Sequence, residues 1–259
     1  MTKRVAMANQ KGGVGKTAVT VNTAAAAAEL GARVLVGDMD PQCNTTTTLG
    51  AVPGAYTLAE VLDPDPKTRE VVAGSAAAAV VPAGQAWPAG IDVLPASLEL
   101  AGRENDQYEG REQRLARACA GLLQGYDLVL WDLPPSLGQL SVNGLVACDQ
   151  VWVITEPTRY GLDGTAQVMA TIDRVRRYYN PGVELAGIVA NKFKRGTTEA
   201  QARLTELRDT YADLVRHVCP AMEPITKAGG AASPLSAYGA EGREAAEWFR
   251  AFTQPILES

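Results

Sequence analysis

The chain has 259 residues, 46% of them hydrophobic and 20% charged, a balance that builds a globular core and excludes a disordered chain. Its 24 Lys and Arg against 29 Asp and Glu leave a formal net charge of −5, so it is no polycation of the histone type, and a single His gives Ser-His-Asp chemistry almost nothing to work with. No apolar run of about 18 residues is present to cross a membrane, the polar Asn9-Gln10 pair after a short apolar run argues against a secretory leader, and the scattered Cys43, Cys119, Cys148 and Cys219 predict reduced cytosolic thiols rather than disulfides or a zinc site.

Short apolar runs alternate with helical patterns along the chain. Residues 4–9 read as a buried strand, followed by a glycine-rich turn and a helix over 17–30 that Gly31 is placed to stop. Strands are predicted at 33–38, 91–95, 126–132, 150–155 and 184–191, with a short one near 216–219. Helices are predicted at 111–123, 164–179, 198–215 and 241–252. The strand runs are apolar almost without interruption, as in parallel strands covered on both faces. The alternation predicts an α/β fold, a doubly wound, mostly parallel sheet flanked by helices. Residues 51–90, rich in Ala, Pro and Gly, read as short helices and loops, with 75–79 either a helix or a connection. No repeat or long linker divides the chain, so residues 1–259 are expected to form one domain.

The segment Asn9-Gln10-Lys11-Gly12-Gly13-Val14-Gly15-Lys16-Thr17 follows a predicted strand and opens a helix, the context of a phosphate loop. Glycines let successive backbone N–H groups turn toward phosphate oxygens, and the helix N-terminus adds partial positive charge. Lys16 would reach the β- and γ-phosphates and the Thr17 hydroxyl would bind Mg²⁺. Gln10 stands where the general pattern has its first glycine, and Lys11 follows it. A second lysine in such a loop repels Lys16 unless an anion lies between them.

This Lys-Gly-Gly-Val-Gly-Lys-Thr loop resembles that of the ParA/MinD group of P-loop ATPases. Two more segments carry the resemblance: Asp38-Met39-Asp40-Pro41-Gln42, and Asp132-Leu133-Pro134-Pro135-Ser136 at the end of the predicted 126–132 strand. The resemblance covers essentially the whole chain and is closest to the ParA type. It implies ATP and Mg²⁺ as cofactors, with Lys11, Gly12, Gly13, Val14, Gly15, Lys16, Thr17 and Ala18 around the phosphates. Thr17, Asp132 and Asp40 would serve the metal, Asp132 through a bound water at the carboxyl edge of the sheet. Asp40 would orient the attacking water, and Lys11 would cross the interface of a homodimer formed on ATP binding. Asp38 is expected to support the loop, and the Thr45-to-Thr48 run to belong to a switch that senses the γ-phosphate. Cys43 stands where the family usually has glycine. Asn191 is a candidate for the adenine edge, because an amide both donates and accepts; Pro220 is a second.

The resemblance further implies non-specific duplex DNA as a partner, a ParB-like centromere-binding protein that stimulates slow hydrolysis, and a cytoplasmic, nucleoid-associated location. Residues 159–227 carry eleven Lys and Arg against eight Asp and Glu in an otherwise acidic chain, the polarity a phosphate-binding face needs. Arg174, Arg177, Lys194, Arg195 and Lys227 are the candidate DNA contacts, since the arginines that usually follow the family's proline are replaced here by Ala221, Met222 and Glu223. A MinD-like membrane ATPase would need a basic amphipathic C-terminal helix, and residues 241–259 carry more acids than bases. An iron–sulfur carrier would need cysteines that meet at a dimer axis; none follows directly after Asp132, where Pro134 and Pro135 stand, and Cys119 and Cys148 show no ligand pattern. An ATPase positioning another cargo would have the same sequence features.

Overall fold

The computed structural model describes residues 1–258, apart from the side chain of Tyr160; Ser259, the end of the predicted domain, lies outside them. In chain order the elements are β1 (Lys3–Ala8), α1 (Lys16–Glu29), β2 (Val34–Asp38), α2 (Asn44–Thr48), α3 (Leu58–Val61), β3 (Val81–Pro82), β4 (Ile91–Leu94), α4 (Arg114–Ala118), β5 (Leu128–Asp132), α5 (Gln139–Val146), β6 (Gln150–Thr155), α6 (Arg159–Tyr178), β7 (Glu184–Phe193), α7 (Thr198–Tyr211), β8 (Val215–Pro220), α8 (Glu223–Gly230) and α9 (Gly239–Glu258). The strands form one sheet in the order β3-β4-β2-β5-β1-β6-β7-β8. Every pairing is parallel except that of the two-residue edge strand β3 with β4. The chain is therefore the doubly wound α/β sheet predicted from the alternation.

Two apolar layers cover the sheet. One gathers α4, α5, α6 and α7 around Leu115, Leu145, Val168, Ile172 and Leu207. The other packs α1 and α9 through Ala24, Ala27, Ala245, Phe249 and Phe252. The alanine-rich stretch of α1 is buried and has no bulky side chain, so α9 approaches it closely. The lone His217 packs among Trp152, Trp248 and Phe252. Burial holds its pKa below the usual value, assisted by Arg216, and it sits half-buried in this aromatic cluster.

The 111–123 helix, α5, α8 and the edge strand β3 depart from the sequence reading. The 111–123 helix breaks into a 3-10 turn at Arg111–Gln113, the short α4, and a second 3-10 turn at Leu123–Gly125, because Gly121 takes a left-handed conformation that a continuing helix cannot use. Helix α5 follows the double proline and α8 ends in two glycines, so neither shows a strong periodic pattern. Helix α8 starts with Pro224 in its first turn, where a missing N–H costs nothing. In the 51–90 stretch a reciprocal cap fixes α3: Thr57 N–H donates to Glu60 Oε2 at 2.7 Å and Ala59 N–H to Thr57 Oγ1 at 3.2 Å. Residues 75–79 form a 3-10 turn.

Strand β2 lies against β5 with Gly37 beside Trp131. The Trp131 ring fills the space where a Gly37 Cβ would stand. Gly37→Ala is expected to destabilise the fold by about 1–3 kcal/mol, read as a lower urea midpoint; an unchanged midpoint would show that the ring has room to yield.

Candidate nucleotide site

The site is built where β1 turns into α1. Gly13 and Gly15 take φ of 80° and 91°, a region glycine enters without strain. Any side chain at Gly15 would also collide with the Asn191 amide. Asn9 braces the loop from below: its Nδ2 donates to the Ile154 carbonyl at 2.6 Å and its Oδ1 accepts the Lys11 N–H at 2.8 Å. From the end of β7, Asn191 Nδ2 donates to the Val14 carbonyl at 2.7 Å. Lys192 Nζ donates to the Gly13 carbonyl and pairs with Glu156 at 3.0 Å. No side chain caps the start of α1, so its first N–H groups remain for an anionic ligand.

Beneath the loop the register of β2 and β5 sets Asp38 beside Asp132. Both are buried. Asp132 Oδ2 accepts Thr17 Oγ1 at 2.6 Å and Thr45 Oγ1 at 2.5 Å, and its Oδ1 accepts Thr20 Oγ1 at 3.2 Å. Asp38 Oδ2 accepts the Thr46 N–H and hydroxyl at 2.8 and 2.7 Å, while Oδ1 accepts the Asp40 N–H at 3.2 Å. Burial pushes Asp38 up to about 7, and the Asp132 charge adds to the rise. Burial also raises Asp132, against the Thr17 and Thr45 hydroxyls, Lys16 and Thr20. Lys16 is buried and its pKa is lowered by that burial, with Asp132 and Asp40 pulling it back up. Asp40 is half-buried, and one of its oxygens accepts the Gln42 N–H at 2.9 Å.

A cavity of about 740 Å³ opens above these groups. Gly12, Gly13, Gly15, Lys16, Thr17, Ala18 and Asp40 line one end, and Asn191 and Pro220 line the other. Of the sequence-predicted nucleotide residues, Lys11 and Val14 are not in its wall, and Asp132 lies below its floor. The sequence reading missed Lys192 and the α8 residues Ile225 and Thr226, which also line it. Lys192 adjoins Asn191 and could have been found with it; the α8 residues carry no sequence signal. Asn191 commits one of its two amide donors to the phosphate loop.

The five candidate DNA contacts do not share one surface. Arg174 and Arg177 lie near the end of α6, which Arg176 ties to the start of β7 by donating to the Val183 carbonyl at 2.9 Å. Lys194 and Arg195 follow the other end of β7, a strand of ten residues, about 30 Å away at the usual rise. Lys227 is paired with Glu223 at 2.8 Å. The thiols are poor ligands: burial raises Cys119 and Cys219 to about 12 and Cys148 further. Among the described residues no group of three or more His, Cys, Asp or Glu could hold a metal by itself. The Thr17 hydroxyl with Asp132 and Asp40 is instead a small hard-oxygen set, which suits Mg²⁺ shared with phosphates.

A family model for an AAA domain matches residues 2–185. The sporulation initiation inhibitor protein Soj of Bacillus subtilis is 31% identical over 250 residues, 95% of this chain and 94% of Soj. The chromosome partitioning protein ParA of Caulobacter vibrioides is 34% identical over 241 residues, 90% of this chain and 86% of ParA. A crystal structure from Mycobacterium smegmatis, described as cobyrinic acid a,c-diamide synthase with bound ADP and magnesium, matches with a TM-score of 0.80 at 33% identity, covering 100% of this chain and 95% of that one.

Lys192→Met keeps the apolar stem and removes the ammonium from Gly13 and Glu156. ATP affinity by calorimetry is expected to fall about fivefold, the worth of one such hydrogen bond, with Lys192→Arg restoring most of it; an unchanged affinity would show that the loop holds itself.

Proposed function

This chain belongs to the ParA/Soj-type P-loop ATPases, and on that premise we propose that it is a partitioning ATPase whose nucleotide state controls its hold on DNA. The observation that carries the reading is the phosphate loop at the start of α1, with Lys16, Thr17 and Asp40 lining one cavity edge and Asp132 bonded to Thr17 beneath it. The loop N–H groups and Lys16 hold the phosphates of ATP. Thr17 and Asp132 hold Mg²⁺, which when bound neutralises charge on the phosphate oxygens. Asp40, its carboxylate oriented by the Gln42 N–H, positions the attacking water, so the residues act by positioning and electrostatics. Asn191 and Pro220 flank the base. Lys11 reaches the nucleotide of a partner copy in an ATP-bound dimer. That dimer binds duplex DNA non-specifically in the cytoplasm, and a ParB-like protein stimulates slow hydrolysis and release. Exposed Lys194 and Arg195, at the nucleotide edge, fit DNA better than Lys227, whose charge Glu223 offsets.

Two other readings meet physical obstacles. A MinD-like membrane anchor needs a free apolar helix face, but Phe249, Phe252 and Ile256 of α9 are buried in the core and Trp248 stacks on Phe252. Among the described residues no helix is long and apolar enough to cross a membrane. A synthase needs an acceptor-substrate pocket beside the phosphates. The second cavity, of about 520 Å³, is lined by Lys3, Arg4 and Asp149 at the opposite edge of the sheet.

Lys16→Ala is expected to abolish ATP binding in calorimetry, and tight binding by that variant would sink the phosphate-loop assignment. Asp40→Ala is expected to bind ATP at parental affinity and lose hydrolysis by a hundredfold or more, on the order of a lost water-positioning group. Hydrolysis at the parental rate would assign the water to another residue.

A further inference from the structure

Asp132 Oδ2 accepts two threonine hydroxyls. A carboxylate oxygen has two in-plane lone pairs, and here Thr17 fills one and Thr45 the other. Thr17 can keep its bond while its oxygen faces a metal, because a hydroxyl donates one proton and retains lone pairs. A water on that metal also needs an acceptor on Asp132. Thr45 stands where it would be received.

We propose that the Thr45 hydroxyl is a built-in competitor for the metal's water at Asp132 Oδ2, the oxygen that Thr17 shares, so that Mg²⁺ binding beside Thr17 turns Thr45 away. This rests on the Mg²⁺-nucleotide reading above. Thr45 is fully buried, so its displaced hydroxyl must find a new acceptor, and the nearest kind for a helical threonine is a carbonyl one turn back. For Thr45 that carbonyl belongs to Pro41 or Gln42, so the bond pulls on the loop that enters α2. The next residue, Thr46, is fixed by Asp38 and by the Ala96 N–H, which donates to its hydroxyl at 3.0 Å. The turn is therefore held at Thr46 and disturbed at Thr45, and the strain falls on the segment before it. That segment holds Cys43, a non-glycine residue at φ 58°, whose N–H donates to the Asp40 carbonyl at 2.9 Å. Metal entry at Asp132 and the setting of Asp40 are linked through this one hydroxyl. Thr45 is a positioning residue here and touches no nucleotide.

The test uses the full chain with ADP, so that hydrolysis plays no part. Mg²⁺ is titrated into the ADP-bound protein, and metal-free ADP affinity is measured separately as a check on the fold. Thr45→Val keeps the shape and removes the donor; it is expected to bind Mg²⁺ about fivefold more tightly, with Thr45→Ser at the parental value. Mg²⁺ affinity in Thr45→Val that is unchanged or weaker overturns the proposal, the latter because Thr45 would then be supporting the metal's water. Should Thr45→Val fail to fold, amide exchange in the parental protein decides: residues 43–49 exchange faster when Mg²⁺ joins ADP, and equal or slower exchange overturns the proposal. A parental protein in which Mg²⁺ does not tighten ADP binding at all would fail the Mg²⁺-nucleotide reading instead.

Discussion

Two carboxylates end neighbouring parallel strands in register, and the nucleotide site is organised around containing them. Asp38 and Asp132 are buried side by side. Burying one unpaired charge costs several kcal/mol, and two adjacent ones repel. The chain meets this cost with short polar donors: Thr46 and the Asp40 N–H on Asp38, and Thr17, Thr20 and Thr45 on Asp132. Lys16 is the nearby countercharge; burial lowers its pKa, and Asp132 and Asp40 oppose that fall. The Asp38–Thr46 contact in turn fixes where α2 begins, and with it the Asp40 loop. A divalent cation and a polyphosphate complete a charge pattern that the protein alone leaves unbalanced: carboxylates below, lysines and helix N–H groups above.

The wider fold serves that edge. Parallel pairing brings the carboxyl ends of β1, β2, β5, β7 and β8 to one side, where the loops that line the cavity begin. The close contact of α1 with α9 fixes the helix whose N-terminus faces the phosphates. Asn9, Asn191 and Lys192 then hold the loop by side-chain donors and acceptors, so its shape is set before a ligand arrives.

The phosphate side of the site was legible in the sequence because its chemistry is local: glycines, lysines and a threonine in one run, then aspartates at strand ends. The doubly wound sheet was legible because buried parallel strands need long apolar runs. The base side was not, because Asn191, Pro220 and α8 meet only in three dimensions and need no special residue type. Helix α8, with its proline and two glycines, hides its own pattern. The Asp132 hydroxyl set was legible only for Thr17; Thr45 looked like part of a polar run. The separation of Arg174 and Arg177 from Lys194 and Arg195 follows from the antiparallel course of α6 and β7, which composition does not encode.

Membership in the ParA/Soj-type ATPases makes nucleotide-controlled DNA binding the central claim, and the arginine-poor segment after Pro220 makes it a demanding one. Electrostatic attachment needs only a few basic groups on one face, weakened by salt, and Lys194 and Arg195 stand at the nucleotide edge to supply part of it. The direct measurement is binding of an arbitrary duplex at moderate salt, with ATP-Mg²⁺ and with ADP-Mg²⁺. The account predicts binding with ATP and release with ADP. Absence of binding in both states, or equal binding in both, would contradict it.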